Sequence, residues 1–265
     1  MNRIDAAFSG LSGKNGRKAL IAYLTVGFPS VRALPEIVRL LVDEGVDLVE
    51  LGIPFSDPLA DGPTIQAASQ WALEHRVTVR GVFDAVGGIR RRHQDLPLVL
   101  MTYYNPVSRF GVKEFCRESA RRQVDGVIVP DLPPEEAGDL LRAARPARID
   151  TIFLAAPTSP DSRLRRIVRA STGFIYYVSL TGVTGARASL PPEIKAHVRS
   201  IKRLTDLPVC VGFGISGPDQ VRQVAAVADG AIIGSALLNV IGESRGKGFS
   251  RVAAFVRRLR SACHA

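Results

Sequence analysis

The 265-residue chain is poor in the residues that announce many specialised chemistries. It has only three cysteines, Cys116, Cys210 and Cys263, an odd number at wide spacing. That pattern supports neither a disulfide framework nor a cysteine metal site, and it leads us to expect a reducing compartment. Its four histidines, His75, His93, His197 and His264, fall on expected helices or at the terminus. None stands at the end of an expected strand, which argues against a histidine mechanism or a metal centre. No apolar run approaches the ~18 to 20 residues of a membrane span. The first residues lack a charged, apolar and cleavable leader pattern, so a cytoplasmic protein is expected. No Gly-x-Gly-x-x-Gly follows the first strand, which weakens a dinucleotide-binding reading. No expected strand carries a lysine, which argues against a Schiff-base aldolase. The net charge is +10, yet the arginines are spread over several helices with no dense tract or interleaved aromatics. Solvated helix faces explain them better than a nucleic-acid surface.

What is present is a large apolar fraction, 46%, against 23% charged residues, enough for a sizeable core. Apolar runs of strand length recur at 19–27, 48–53, 98–104, 126–131, 151–156, 174–180, 208–213 and 230–234. Helical sequence follows each, at about 30–44, 64–75 with 79–92, 112–122, after 132–136, 161–170, 191–204 and after 216–218. A short turn and a helix over 249–263 follow the last strand. A short helix over 2–9 precedes the first. Strictly alternating strands and helices mean a parallel sheet with right-handed crossovers. Eight repeats without a linker fit a single domain, 1–265: a (β/α)8 TIM barrel, for which about 250 residues is usual.

The organising stretch is 48–66, LVELGIPFSDPLADGPTIQ. Glu50 interrupts a buried strand, where a charge must be paired or used. Asp61 lies in the following loop, the place where parallel barrels carry their chemistry. One carboxylate buried and one more exposed can be driven to different pKa values and divide acid and base roles. Ser56 and Asp57 read as turn formers or partner-facing residues. Two glycine-bearing segments, 212–216 (GFGIS) and 233–236 (IGSA), end the last two strands. There, backbone amides at a helix start can hold phosphate, placing a site at Gly214, Gly234 and Ser235. The Gly-rich stretch 181–187, TGVTGAR, is a third contributor. Asp131 reads as part of a helix start, and Tyr103, Tyr104 and Tyr176 as strand residues packed in the barrel.

The 50–66 motif resembles the signature of the tryptophan synthase alpha subunit family, and with later segments the resemblance spans nearly the whole chain. It implies cleavage of indole-3-glycerol phosphate to indole and glyceraldehyde 3-phosphate, with Glu50 and Asp61 catalytic. By the same resemblance 181–190 is a mobile lid carrying Thr184 and Gly185, while Tyr176 and Phe213 contact substrate. No metal or organic cofactor is implied in this chain. Pyridoxal phosphate is expected only in the partner, the beta subunit, in an alpha2-beta2 tetramer. Two other readings stay open: a free-standing lyase or another phosphate-binding barrel enzyme, and a non-enzymatic activating or nucleic-acid-binding role.

Overall fold

The computed structural model describes residues 2–12, 16–178, 193–212 and 214–264, the side chain of Ser12 excepted. Nine parallel strands form one sheet: β1 Ala19–Thr25, β2 Leu48–Gly52, β3 Leu98–Met101, β4 Gly126–Ile128, β5 Asp150–Ile152, β6 Leu154–Ala155, β7 Ile175–Val178, β8 Val209–Gly212 and β9 Gly230–Ile233. Their order is β5-β4-β3-β2-β1-β9-β8-β7-β6. β5 and β6 are one stretch of chain broken at Phe153, so eight positions complete a ring. β5 pairs only with β4, and β6 only with β7. At the break, the Tyr176 amide donates to the Phe153 carbonyl at 3.2 Å, carrying the ring across the gap.

Both faces of these strands are buried, as parallel sheets with a helical jacket require. Leu20, Ala22, Leu24, Val49, Leu51, Leu98 and Leu100 belong to the outer layer, against the helices. Ile21, Tyr23, Leu48, Val99, Met101, Ile128, Ile152, Tyr176, Cys210 and Ile232 fill the interior. The N-terminal helix Arg3–Ser12 adds Ile4, Phe8 and Leu11 to that interior. Spacings of four and three residues put these on one helical face. The helix therefore plugs the N-terminal end of the barrel, with the Phe8 ring 6.1 Å from that of Phe174.

A repeated device closes the same end. Asp47, Asp125 and Asp229 each precede a strand and accept the amide that begins, or nearly begins, the strand before it. The bonds are Leu20 N to Asp47 at 2.9 Å, Leu98 N to Asp125 at 2.8 Å and Val209 N to Asp229 at 3.0 Å. Thr172 does the same for Thr151 N at 2.9 Å. Cations meet each carboxylate: Arg17 and Arg260 at Asp47, Arg3 and Arg90 at Asp125, Lys18 and Lys202 at Asp229. Part of the basic surplus thus has structural work here.

Several expectations need correction. The third strand ends at Met101, and Tyr103 caps the helix Tyr104–Phe110, so neither Tyr103 nor Tyr104 is a strand residue. Pro106 is tolerated because the first-turn amides have no intrahelical partner. Asp131 does not start the next helix, which begins at Gly138. Instead its carboxylate accepts from Tyr104 N at 2.9 Å, the first residue of the unexpected helix. The helix expected over about 30–44 begins at Leu34, and Ser30 accepts from Ala33 N in the turn before it. The short turn after β9 is a full helix, Ser235–Glu243.

Candidate active site

Glu50 points into the barrel from the middle of β2 and is 0% exposed. Neither of its carboxyl oxygens has a hydrogen-bond partner among the described residues. Burial pushes its pKa up to about 8. Near neutrality it is therefore a buried, mostly protonated acid with both oxygens free to meet a ligand.

Asp61 follows in the loop between β2 and the helix Pro63–Glu74. Its pKa is raised to about 6, with burial as the main cause and the Tyr103 hydroxyl beside it pulling the other way. The same hydroxyl accepts the Ala60 amide at 3.0 Å. One phenol thus holds the backbone beside Asp61 and favours its ionised form. The Phe55 ring packs on Tyr103 at 5.4 Å, which ties down the start of the loop as well. Between the two pKa values Asp61 is ionised while Glu50 holds its proton, so one strand and its loop supply an acid and an anion.

Tyr23 and Tyr176 rise on either side. Each inward tyrosine lies over a glycine of the next strand. A Cβ on Gly52 would come 2.1 Å from the Tyr23 hydroxyl, and one on Gly212 would come 2.4 Å from that of Tyr176. Only glycine leaves room for the rings there. Both phenols are held strongly in the neutral form, first by burial and then by the nearby carboxylates.

The expected phosphate grip lies at the ends of β8 and β9. Gly234 caps the helix Ser235–Glu243 without a side-chain cap. The first turn closes with Leu238 N to Gly234 O at 3.0 Å. The amides of 235, 236 and 237 therefore have no helix carbonyl to meet, which suits an anion. Ser235 is exposed. Gly214 is exposed at φ +77°, a conformation that favours glycine. A Cβ on Gly234 would lie 3.6 Å from Tyr23 Cβ and 3.8 Å from Ile65, ordinary contact distances. Crowding does not demand glycine at 234.

The structure thus brings Glu50, Asp61 and Tyr176 together and sets Gly214, Gly234 and Ser235 at the same end of the barrel. Thr184, Gly185 and Phe213, with the expected lid 181–190, lie outside the described residues. Tyr103 and Tyr23 are additions to the site. Tyr23 is in phase with the inward residues Ala19 and Ile21, a signal present in the sequence but masked by the apolar run around it. In the loop 53–60, Pro54 is buried and Phe55 half-buried, whereas Leu59 is 92% exposed. Among the described residues no cluster of His, Cys, Asp or Glu is arranged to hold a metal ion. No helix among them is long and apolar enough to cross a membrane.

A parallel barrel with an acid–anion pair above its second strand and open helix amides at its last defines an acid–base enzyme acting on a phosphorylated small molecule. Residues 9–264 match the family model described as tryptophan synthase alpha chain, and the chain belongs to that family. It is 45% identical to the tryptophan synthase alpha chain of Geobacter sulfurreducens over 99% of each chain. The structure of Mycobacterium tuberculosis tryptophan synthase matches with a TM-score of 0.92 at 40% identity, over 100% of this chain and 99% of that one. The alpha subunit from Legionella pneumophila matches with a TM-score of 0.91 at 37% identity, covering 99% of this chain and 98% of that one.

Proposed function

We propose that this chain cleaves indole-3-glycerol phosphate to indole and glyceraldehyde 3-phosphate, with Glu50 and Asp61 as the catalytic pair. The observation that carries the assignment is the split between them: a buried, protonated Glu50 beside an Asp61 that stays ionised. Indole cannot leave until C3 carries a proton, and Glu50 gives it. Protonation puts positive charge on the ring nitrogen, which Asp61 meets. Glu50, now a carboxylate, takes the proton of the side-chain hydroxyl. The O–H pair becomes the aldehyde C=O, the C–C bond breaks, and its electrons restore the neutral ring. Glu50 gives one proton and takes one, so the cycle closes. General acid–base help of this kind is worth about 10²–10⁴-fold.

The phosphate binds at Gly214, Gly234 and Ser235, with Thr184, Gly185, Tyr176 and Phe213 completing the substrate contacts. Anchoring the far end orients the bond to be broken. Proton transfers alone drive this chemistry, so the chain has no need of an organic cofactor. Pyridoxal phosphate belongs to the beta subunit, which receives the indole in an alpha2-beta2 assembly in the cytoplasm. The test is indole release from indole-3-glycerol phosphate, with and without a beta subunit. No release in either case would sink the assignment. Full activity alone, unchanged by the partner, would favour a free-standing lyase.

A further inference from the structure

Tyr23 stands where the parts of this site meet. Its Cα pairs with that of Glu50 across β1 and β2, so the two side chains enter the barrel side by side on one face. The ring runs toward the C-terminal rim and lies over Gly52, which has no Cβ to obstruct it. On its other side, Tyr23 Cδ1 is 3.7 Å from where a Cβ on Gly234 would sit. The ring is thus a wall between the acid pair and the start of the anion-binding helix. Its hydroxyl accepts a long bond from the buried Thr25 Oγ1, at 3.4 Å. The hydroxyl's own hydrogen has no acceptor among the described residues. Both Glu50 oxygens beside it likewise lack a donor. A buried donor and a buried acid left unsatisfied together are costly in a packed core, unless a ligand supplies what both need. Asp61, Tyr103, Tyr176 and Cys210 are the other titratable groups bearing on this space, and Tyr103 already serves Asp61.

We infer that Tyr23 is a further catalytic residue, its O–H donating to the substrate oxygen that Glu50 deprotonates. The inference deepens the proposed function and rests on it. As Glu50 removes the hydroxyl proton, negative charge rises on that oxygen before its electrons become the new carbonyl bond. A fixed donor stabilises that charge where it develops. Tyr23 keeps its own proton throughout, and burial holds the phenol neutral, so it acts as donor and never as base.

The experiment is steady-state kinetics of Tyr23→Phe beside the parent and Glu50→Gln, each with a beta subunit, across the pH range of both limbs. Phenylalanine keeps the ring over Gly52, and inhibition by glycerol 3-phosphate checks that the site is intact. We expect kcat to fall about ten- to a hundredfold, with KM, the inhibition and both limbs unmoved. An unchanged kcat would overturn the inference. So would a rise in KM alone, which makes Tyr23 a binding wall, or a moved limb, which makes it act through a carboxylate. A parent that releases no indole, or a Glu50→Gln protein as active as the parent, would sink the proposed function itself. A parent that is active, depends on Glu50 and ignores Tyr23→Phe sinks this inference alone.

Discussion

Glu50 is held in the state the proposed chemistry needs by the same burial that makes it a liability for folding. In the folded chain it keeps its proton to about pH 8; unfolded, it releases it near the ordinary 4.5. Between those values the unfolded state binds fewer protons, so stability falls as pH rises through the window. Glu50→Gln removes that slope. The variant should melt higher than the parent above pH 8, by on the order of a few kcal/mol, with the gap closing toward pH 4.5. Its turnover should fall at least ~10²-fold, because an amide cannot carry the proton. Thermal melts and indole assays on one preparation read both effects; equal melting at every pH would mean Glu50 is not the strained acid described here. Tyr103 gives the complementary case. Its hydroxyl favours ionised Asp61, so Tyr103→Phe should move the acid limb of the kcat/KM profile upward from about 6. A limb that stays in place would detach Tyr103 from Asp61. Glu50 and Asp61 were legible in the sequence, since an acid in an apolar strand and another in its loop stand out. Tyr103 and Tyr23 were not, because a tyrosine among apolar neighbours looks like packing until the fold sets it beside a carboxylate, Tyr23 by its register with Glu50 and Tyr103 from the cap of the helix Tyr104–Phe110.

At the scale of elements, the eight-position rhythm was readable because each strand is an apolar run closed by proline, glycine or asparagine. The inward and outward faces were not. With both faces buried, nothing alternates in hydrophobicity to tell Ile21 from Leu20. The helix Tyr104–Phe110 was hidden for a related reason: Tyr103 and Tyr104 are good strand formers, and what starts the helix is Asp131, 27 residues away. Gly52 and Gly212 showed as glycines, but their purpose depends on which tyrosine lies across the next strand. The clamps between strands carry the element-scale prediction. Asp125 accepts Leu98 N and meets both Arg90 and Arg3, and Arg90 is itself 5% exposed. Asp125→Ala would leave the buried Arg90 charge without its counter-ion and remove one of the ties between the plug helix and the barrel floor. A loss of about 3–5 kcal/mol in denaturant unfolding is expected, whereas Asp139→Ala, which breaks an exposed pair within one helix turn, should change little. Equal, small effects from the two would deny the clamp its role.

The whole molecule divides its labour between its two ends. The N-terminal end is plugged by Arg3–Ser12 and laced by carboxylate clamps; the C-terminal end carries Glu50, Asp61 and the open helix start at Gly234. A partner that tunes activity must therefore act at the C-terminal end, and the segment 53–60 is where it would press. That segment joins the two carboxylates, and its tip stands out from the barrel: Leu59 is 92% exposed, while the Ala60 amide donates to the Tyr103 hydroxyl. An exposed leucine beside Pro58 offers an apolar foothold, and covering it would restrain Asp61 through a single intervening residue. A misplacement of ~1 Å at a catalytic group can cost about 10²-fold in rate. The isolated chain should therefore be a slow catalyst, and titration with a beta subunit should raise indole-3-glycerol phosphate cleavage to a plateau. Leu59→Ser should shift that titration to higher partner concentration while leaving the slow basal rate untouched. Linkage then requires the reverse effect: glycerol 3-phosphate, by settling the site around Asp61, should tighten subunit association by the factor that the partner adds to its binding. Calorimetry of the two chains with and without glycerol 3-phosphate measures that factor. An identical association constant in both would place the partner's influence somewhere other than this loop.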